Sequence, residues 1–228
     1  MHIVITGTSS GIGRGTAIRF LSEGHQVLGI DRKPPDPDIN KMQNYTHLLV
    51  DVRNIDYSRT KHVFPQFAHP DIIISNAGTQ NEDDIEINLK SAIRFTEAFA
   101  FQPNIKSVLF VGSASAHTGD EFPEYVASKG GLLSYTKNVA RRVACFGATC
   151  NSLDPGGVLT DLNKPVMQDK KLWKKIMNVT PLKRWATVEE IAEWIYFLTV
   201  VNKSCTGQNI LNDNGESLIN NFVWSDTQ

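Results

Sequence analysis

Tyr125 and Lys129 are the residues whose types and spacing first suggest chemistry in this sequence. They lie four positions apart in a segment with a helical pattern, so both side chains share one face of the predicted helix. A tyrosine has an ordinary pKa of about 10, and lowering it by about three units requires roughly 4 kcal/mol of preferential stabilisation of the phenolate. A nearby ammonium provides such stabilisation. The pair predicts a tyrosine that exchanges a proton, although tyrosine and lysine also meet by chance on solvated helix faces.

Ser113 is a further candidate because it directly follows the predicted strand Val108–Gly112. A serine hydroxyl at that place can donate a hydrogen bond to a carbonyl or alcohol oxygen of a substrate. Ser115, two residues further on, is a rival for the same role. The serine strengthens the prediction of proton transfer at an oxygen atom, which an isolated Tyr-x-x-x-Lys pair supports only weakly.

A glycine-rich turn at residues 6–13, with the sequence TGTSSGIG, follows the first predicted strand and opens the first predicted helix. Its glycines permit a tight turn and let backbone N–H groups approach an anion, while the helix N-terminus adds partial positive charge. A pyrophosphate group would suit such a turn. The spacing is GxxxGxG and differs from the commoner GxGxxG of dinucleotide sites, so the turn alone also fits an ordinary loop.

Asp31 stands eighteen residues after Gly13, at the end of the predicted strand Val27–Ile30. A carboxylate there can accept both hydrogen bonds of an adenosine ribose and repels a 2′-phosphate, so the sequence favours NAD over NADP. Arg32 keeps NADP open as an alternative, because a guanidinium attracts a 2′-phosphate. A solvated loop arginine is the simpler interpretation.

Short β-branched runs alternate with helical stretches along the chain. The runs are continuously apolar, which is typical of strands covered on both faces by helices, so we predict a Rossmann-like, doubly wound parallel sheet in three α/β/α layers. With no linker in the sequence, residues 1–228 are predicted to form a single domain. Asp31–Asn40, with three prolines, is predicted to be a loop. The predicted strands are Ile3–Thr6, Val27–Ile30, Leu48–Val50, Ile72–Ser75, Val108–Gly112, Thr149–Leu153 and Asn209–Leu211, and the predicted helices are 12–23, 84–101, 123–146 and 187–200.

Composition narrows the class of partner. The net charge of −1 gives no general attraction to nucleic acid or to an anionic membrane, so a small-molecule substrate is expected. The longest apolar stretch, Ile191–Val201, contains a charge and is too short to span a bilayer, and the first residues have no basic region typical of a signal peptide. Three cysteines without metal-like spacing predict no metal site and a cytoplasmic location.

Taken in order, these features resemble the classical short-chain dehydrogenase/reductase family over nearly the whole sequence. The matching pieces are Thr6–Gly13, Asp51, Asn76-Ala77-Gly78, Asn88, Ser113, Tyr125, Lys129, Pro155-Gly156, Val158 and Thr160. The resemblance implies Tyr125 as general acid–base, Lys129 as the group that lowers its pKa and binds the nicotinamide ribose, and Ser113 as the group that polarises the substrate oxygen. It also implies that Asn88 holds a water in a proton relay. The family's spacing between serine and tyrosine favours Ser113 over Ser115.

The resemblance also supplies a set of cofactor contacts. Asp51 and Val52 are expected at the adenine, Asn76 and Gly78 along the cofactor, and Val158 with Thr160 at the carboxamide. Turn or loop residues are the alternative interpretation for several of these positions. The full predicted set is Gly7, Ser9, Ser10, Gly11, Ile12, Gly13, Asp31, Arg32, Asp51, Val52, Asn76, Ala77, Gly78, Tyr125, Lys129, Pro155, Gly156, Val158 and Thr160.

Two segments depart from the family or fall outside its motifs. Only nine residues separate Gly78 from Asn88, so the usual subunit contact is expected to be trimmed, although the resemblance still implies a homo-oligomer, a dimer or tetramer. Residues 161–185 are expected to cover the site, with an amphipathic helix within Asp169–Met177. The lysines of this segment either form a solvated face or attract an anionic substrate. His117, Glu121 and Phe122 are candidates for the pocket wall.

Three functions compete at this point. The sequence favours hydride transfer between NAD(H) and a secondary alcohol or its ketone. A nucleotide-sensing protein without catalysis is the alternative from another class, and the intact serine, tyrosine and lysine set argues against it. A nucleotide-sugar epimerase or dehydratase would need a larger C-terminal region than the roughly 70 residues after Pro155.

Overall fold

The computed structural model describes residues 1–80 and 82–218. Its seven strands pair in parallel in the order β3-β2-β1-β4-β5-β6-β7. The strands are β1 His2–Thr6, β2 Gln26–Asp31, β3 Tyr45–Leu49, β4 Ile72–Ser75, β5 Ser107–Val111, β6 Thr149–Pro155 and β7 Asn209–Asn212. The order reverses between β1 and β4, which opens a crevice at the carboxyl ends of these strands.

Nine helices connect the described strands and cover the sheet. They are α1 Gly11–Ser22, α2 Pro37–Asn40, α3 Tyr57–Val63, α4 Ser91–Phe99, α5 Ser115–Thr118, α6 Pro123–Val143, α7 Lys164–Gln168, α8 Lys170–Val179 and α9 Val188–Tyr196. A π-helical turn at Ile85–Lys90 leads into α4, and a second one at Phe197–Val201 follows α9.

Successive strand residues enter two separate apolar cores, one on each face of the sheet. On β4, Ile73 packs with the aromatic side chains of α4, whereas Ile72 and Ile74 pack with Phe20 of α1 and Ile191 of α9. All three isoleucines are fully buried. The continuous apolar runs therefore have the predicted cause, and the Rossmann-like three-layer fold is confirmed.

Two ends of helices follow the predicted local chemistry. Thr187 and Glu190 form a capping box at the start of α9, in which each side chain binds the other residue's backbone N–H. Asp169 caps α8, because its Oδ1 accepts hydrogen bonds of 3.0 Å from the N–H groups of Lys171 and Leu172. The helix predicted within Asp169–Met177 is thus present.

Two predicted boundaries were wrong. The third strand runs over Tyr45–Leu49, earlier than the predicted Leu48–Val50. Among the described strands it pairs only with β2, and it is half-buried, so its sequence is not continuously apolar. The predicted loop Asp31–Asn40 contains α2, whose start is stabilised by the Asp36 carboxylate accepting a 2.9 Å hydrogen bond from Asp38 N–H.

The prediction of a single domain over residues 1–228 stays a prediction, and its last ten residues, 219–228, lie outside the described residues. Within the part of the chain that the structure describes, every helix is too short or too polar to cross a bilayer.

Candidate active site

A cleft of about 540 Å³ lies at the carboxyl ends of the central strands. It brings together most of the residues that the sequence singled out. These are Gly7, Ser10, Gly11, Ile12, Asp31, Arg32, Asp51, Val52, Asn76, Ala77, Gly78, Ser113, Tyr125, Lys129, Pro155, Gly156, Val158 and Thr160. Three predicted residues, Ser9, Gly13 and Asn88, do not line it.

The glycine-rich turn has the backbone that its sequence predicts. Gly7 and Gly11 have positive φ angles of 78° and 54°, which glycine adopts without steric cost. A Cβ on Gly13 would lie 2.0 Å from the carbonyl oxygen of Gly7, so this glycine allows helix α1 to pack against the turn. Ser10 is the N-cap of α1 and makes no side-chain capping bond, which leaves the positive end of the helix facing the cleft.

Asn76 braces the glycine-rich turn. Its amide Nδ2 donates to the carbonyl oxygens of Thr6 and Gly7 at 3.0 and 3.1 Å. The Thr6 hydroxyl oxygen in turn accepts hydrogen bonds from the N–H groups of Asn76 and Ala77, both at 3.0 Å. The end of β4 is thereby fixed to the end of β1.

Asp31 has an ordered carboxylate at the end of β2. One oxygen accepts a 2.9 Å hydrogen bond from Ser9 N–H, and the other accepts one of 2.9 Å from Lys33 N–H. Each oxygen keeps a second lone pair, and the residue lines the cleft. Ser9 therefore contributes by orienting Asp31. Arg32 is exposed and lies 3.5 Å from Glu82.

Asp51 follows β3 and lies beside Arg53. The guanidinium forms two hydrogen bonds with the carboxylate, at 3.0 and 2.8 Å, and lowers the pKa of Asp51. Val52 is 8% exposed and packs into the core on the side of α4. Both residues form part of the cleft wall, at the end farthest from Tyr125.

Helix α6 places Tyr125 and Lys129 at the inner end of the cleft. The Lys129 ammonium donates a 2.9 Å hydrogen bond to the carbonyl of Val111, the last residue of β5, and lies 5.7 Å from the centre of the Tyr125 ring. Burial lowers the pKa of Lys129 to about 8, while the negative charges of Asp154 and Asp84 act in the opposite direction. The lysine is fixed to the sheet and lies beneath the tyrosine.

Burial raises the pKa of Tyr125 to about 12, and a hydrogen bond with Ser113 acts in the opposite direction. The sequence argument predicts a lowered pKa, and in this arrangement the loss of solvent around the phenol outweighs the stabilisation of its anion. Tyr125 and Ser113 line the same cleft.

Ser113 and Ser115 are both buried and joined by a hydrogen-bond chain. The Ser113 hydroxyl donates to Ser115 Oγ at 3.1 Å, and the Ser115 hydroxyl donates to Glu121 Oε2 at 2.7 Å. Glu121 has a positive φ of 82°, which is uncommon for a residue with a side chain. Both serines line the cleft together with Tyr125, so the choice of Ser113 over Ser115 stays a prediction.

Asn88 lies in the π-helical turn before α4 and is 2% exposed. Its Oδ1 accepts a 2.8 Å hydrogen bond from Thr79 N–H, and its Nδ2 donates to the Thr79 carbonyl and to Ser128 Oγ. The side chain thus braces the segment after β4 against α6. Its place in a proton relay stays a prediction.

Sequence reasoning named His117 as a candidate for the pocket wall but missed its pairing with the buried Asp154. His117 Nε2 donates a 2.7 Å hydrogen bond to Asp154 Oδ2, and the Asp154 side chain is fully buried. The one available signal was a carboxylate directly before Pro155, at the end of a fully buried strand. Glu216 was also missed; it lines the cleft and accepts a 2.8 Å hydrogen bond from Nε1 of Trp185, which ends the predicted segment 161–185.

The segment 161–185 supplies acidic and neutral walls to the cleft. Asp161, Leu162, Asn163 and Trp185 line it, whereas its lysines do not. In the described chain, the hypothesis that these lysines attract an anionic substrate therefore has no support. Among the described residues, no three His, Cys, Asp or Glu side chains are grouped to hold a metal ion.

Comparison with known proteins identifies the family. A family model described as enoyl-(acyl carrier protein) reductase matches residues 7–217. A 3-oxoacyl-[acyl-carrier-protein] reductase, FabG, of Buchnera aphidicola subsp. Schizaphis graminum is 32% identical, over 91% of this chain and 93% of that one. The 2-dehydro-3-deoxy-D-gluconate 5-dehydrogenase of Escherichia coli is 27% identical over 86% of each chain.

A solved structure gives the same result. A 4-hydroxyisoleucine dehydrogenase in complex with NADH superposes with a TM-score of 0.80 at 25% identity, covering 96% of this chain and 99% of that one. The family model spans most of the chain, and the relatives are dehydrogenases and reductases. The chain therefore belongs to the classical short-chain dehydrogenase/reductase family, whose members use NAD(P)(H), and it is an oxidoreductase acting on CH–OH or keto groups.

Proposed function

We propose that this protein transfers a hydride between NAD(H) and a secondary alcohol or its ketone, with Tyr125 exchanging the hydroxyl proton. The observation that carries the proposal is the presence of Ser113, Tyr125 and Lys129 in the same cleft as the glycine-rich turn. A non-catalytic nucleotide sensor would have no use for a serine, a tyrosine and a buried lysine together in one cleft.

The residues present fit a dinucleotide. The turn at Gly7 and Gly11 leaves room for backbone N–H groups to approach a pyrophosphate, and the uncapped start of α1 favours negative charge there. Bound in the cleft, the nicotinamide group supplies or accepts the hydride. We assign Asp51 and Val52 to the adenine end of the cleft, and Pro155-Gly156 with Val158 and Thr160 to the nicotinamide end, as the resemblance implies.

We propose NAD as the cofactor and NADP as the less favoured alternative. The Asp31 carboxylate is fixed by two backbone N–H groups and faces the cleft, where it can accept hydrogen bonds from ribose hydroxyls and repels a 2′-phosphate. Arg32 also lines the cleft, but its guanidinium is exposed and pairs with Glu82 at 3.5 Å. The 4-hydroxyisoleucine dehydrogenase, which resembles this chain, was solved with NADH.

Each catalytic side chain has a defined task in this proposal. Ser113 donates a hydrogen bond to the substrate oxygen, and Tyr125 gives that oxygen a proton during reduction or takes it during oxidation. The Lys129 ammonium, which Val111 holds under the tyrosine, stabilises the phenolate form once substrate and cofactor complete the site. Asn88 keeps the segment after β4 in place and is proposed to position a water in the proton relay.

We further propose a cytoplasmic homo-oligomer, a dimer or tetramer, that acts on a small molecule. The three cysteines are unpaired, as expected of a reducing compartment. Trp194, Phe197 and Val201 lie three and four residues apart on α9 and the turn that follows, and they are 43%, 48% and 57% exposed. Such an apolar stripe supports contact with another protein surface.

The experiment that tests the function replaces Tyr125 with phenylalanine. The change removes one hydroxyl, so we expect turnover of a panel of secondary alcohols and ketones to be lost, while NADH binds within a few fold of wild type. Tyr135→Phe is the matched control, since this hydroxyl bonds Glu97 away from the cleft. Full activity of the Tyr125→Phe enzyme, on any substrate that the wild type accepts, would exclude the proposed mechanism.

A further inference from the structure

A buried carboxylate lies behind the candidate catalytic residues. Asp154 is fully buried at the end of β6, and its Oδ2 accepts the hydrogen bond from His117. Its Oδ1 has no hydrogen-bond partner among the described residues. Burial raises the pKa of this carboxyl group, so the position is costly unless positive charge nearby stabilises the anion.

The residue between Asp154 and the cleft is a glycine, Gly112, which has no side chain. Gly112 follows β5 directly opposite Asp154, and a Cβ on this glycine would lie 1.9 Å from Asp154 Oδ1. The preceding residue, Val111, holds the Lys129 ammonium through its carbonyl. The Asp154 carboxylate thus lies next to Gly112, and the Lys129 ammonium lies next to the preceding residue, Val111. Because Gly112 has no side chain, none separates the two charged groups.

Lys129 needs negative charge at this place because it is 6% exposed. Asp154 and Asp84 are the charged groups that raise its pKa against the effect of burial, and Lys129 reciprocally lowers the pKa of Asp154. Asp84 binds the Thr79 hydroxyl at 2.9 Å from the opposite side. Glu121 and Asp84 also face Tyr125, where they raise its pKa.

We propose that Asp154, held in place by His117, is a positioning residue whose carboxylate keeps Lys129 in its ammonium form. The proposal rests on the proposed function only in taking Lys129 to act as a cation. His117 stabilises the carboxylate by donating a hydrogen bond, and Gly112 gives the carboxylate access to the lysine. Neither Asp154 nor His117 is among the described residues that line the cleft.

The sign of the effect follows from the charges. Removing the Asp154 charge leaves burial to act on Lys129 with only Asp84 opposing it, so the pKa of Lys129 falls below its value of about 8. Side-chain pKa values in folded proteins vary by about one unit around their reference values, and we expect a fall of about this size. As the pH rises, the variant then loses the ammonium, and with it the activity that needs the ammonium, at a lower pH than the wild type does.

The test follows the Lys129 side chain directly, by NMR titration of protein with isotope-labelled lysine side-chain nitrogens. Lys129→Met assigns its resonance. Asp154→Asn removes the charge and keeps the shape, and His117→Leu removes the hydrogen bond to the carboxylate. Asp71→Asn is the matched control, because Asp71 is a largely buried carboxylate before β4 that pairs with Lys106 at the opposite end of the sheet. The pH dependence of kcat/KM is recorded for the same proteins.

We expect the Lys129 titration to move to lower pH in Asp154→Asn, by a smaller amount in His117→Leu, and not at all in Asp71→Asn. The upper limb of the kcat/KM profile should move with it. An unchanged Lys129 titration in Asp154→Asn overturns the proposal, as does an unchanged titration in His117→Leu should Asp154→Asn fail to fold. If the wild type turns over no substrate, the proposed function fails, and the titration still decides the role of Asp154.

Discussion

Replacing Gly13 with alanine places a methyl group where the structure has no room for one. The added Cβ would lie 2.0 Å from the Gly7 carbonyl oxygen and 2.3 Å from Asn76 Nδ2, whereas ordinary contacts are about 3.5 Å. The nearest of these atoms belongs to the backbone of the glycine-rich turn, so either the turn or helix α1 must shift. Overpacking of this kind costs about 1–3 kcal/mol, and we expect the upper part of that range because the nearest obstacle is a main-chain atom.

Gly130→Ala is the matched control for this prediction. Gly130 is also a helix-interior glycine, in α6, and a Cβ there meets nothing within 4 Å. Both variants gain about 1 kcal/mol of helix propensity, so Gly130→Ala should be more stable than wild type and Gly13→Ala less stable. Urea unfolding followed by circular dichroism measures both, and NADH titration should show about tenfold weaker binding for Gly13→Ala alone. A Gly13→Ala protein as stable as Gly130→Ala, with unchanged NADH affinity, would refute the packing argument.

Two further predictions concern the cofactor and helix α9. Asp31→Asn keeps the shape and removes the charge that repels a 2′-phosphate, so the ratio of NADPH to NADH affinity should rise by about tenfold or more in binding titrations; a wild type that already prefers NADPH contradicts the assignment. Thr187→Ala removes the hydroxyl that accepts a 3.2 Å hydrogen bond from Glu190 N–H, which should cost about 1 kcal/mol and lower the Tm by roughly 2–4 °C. Thr187→Ser keeps that acceptor and should melt near the wild-type temperature, so equal loss in both variants would argue against the cap.

The sequence was most informative where function depends on local spacing. The glycine-rich turn, the helix after it, and the four-residue separation of Tyr125 and Lys129 are all encoded within a few residues, because helix periodicity and glycine φ angles are local properties. The parallel sheet was also predictable, since strands such as Ile72–Ser75 must bury both faces. The resemblance to the family in the order of the motifs then assigned these local signals to one site.

What the sequence did not contain was the pairing of distant polar groups. His117 and Asp154 are 37 residues apart and meet because α5 lies over the end of β6. The pKa of Tyr125 depends on how much solvent the fold removes around it, which no spacing reports. The edge strand β3 was misplaced for a related reason. In the described sheet no further strand lies beside it, so it is partly exposed and its sequence does not show a continuous apolar run.

Trp185 makes the cleft visible to an optical measurement. Its indole lines the cleft, donates to Glu216, and meets Trp173 of α8 edge to face with ring centres 4.9 Å apart. Indole emission depends on polarity and on such neighbours, so a molecule entering the cleft should change the intrinsic fluorescence of this pair without any attached dye. Intrinsic fluorescence can therefore be used to screen for molecules that bind in the cleft.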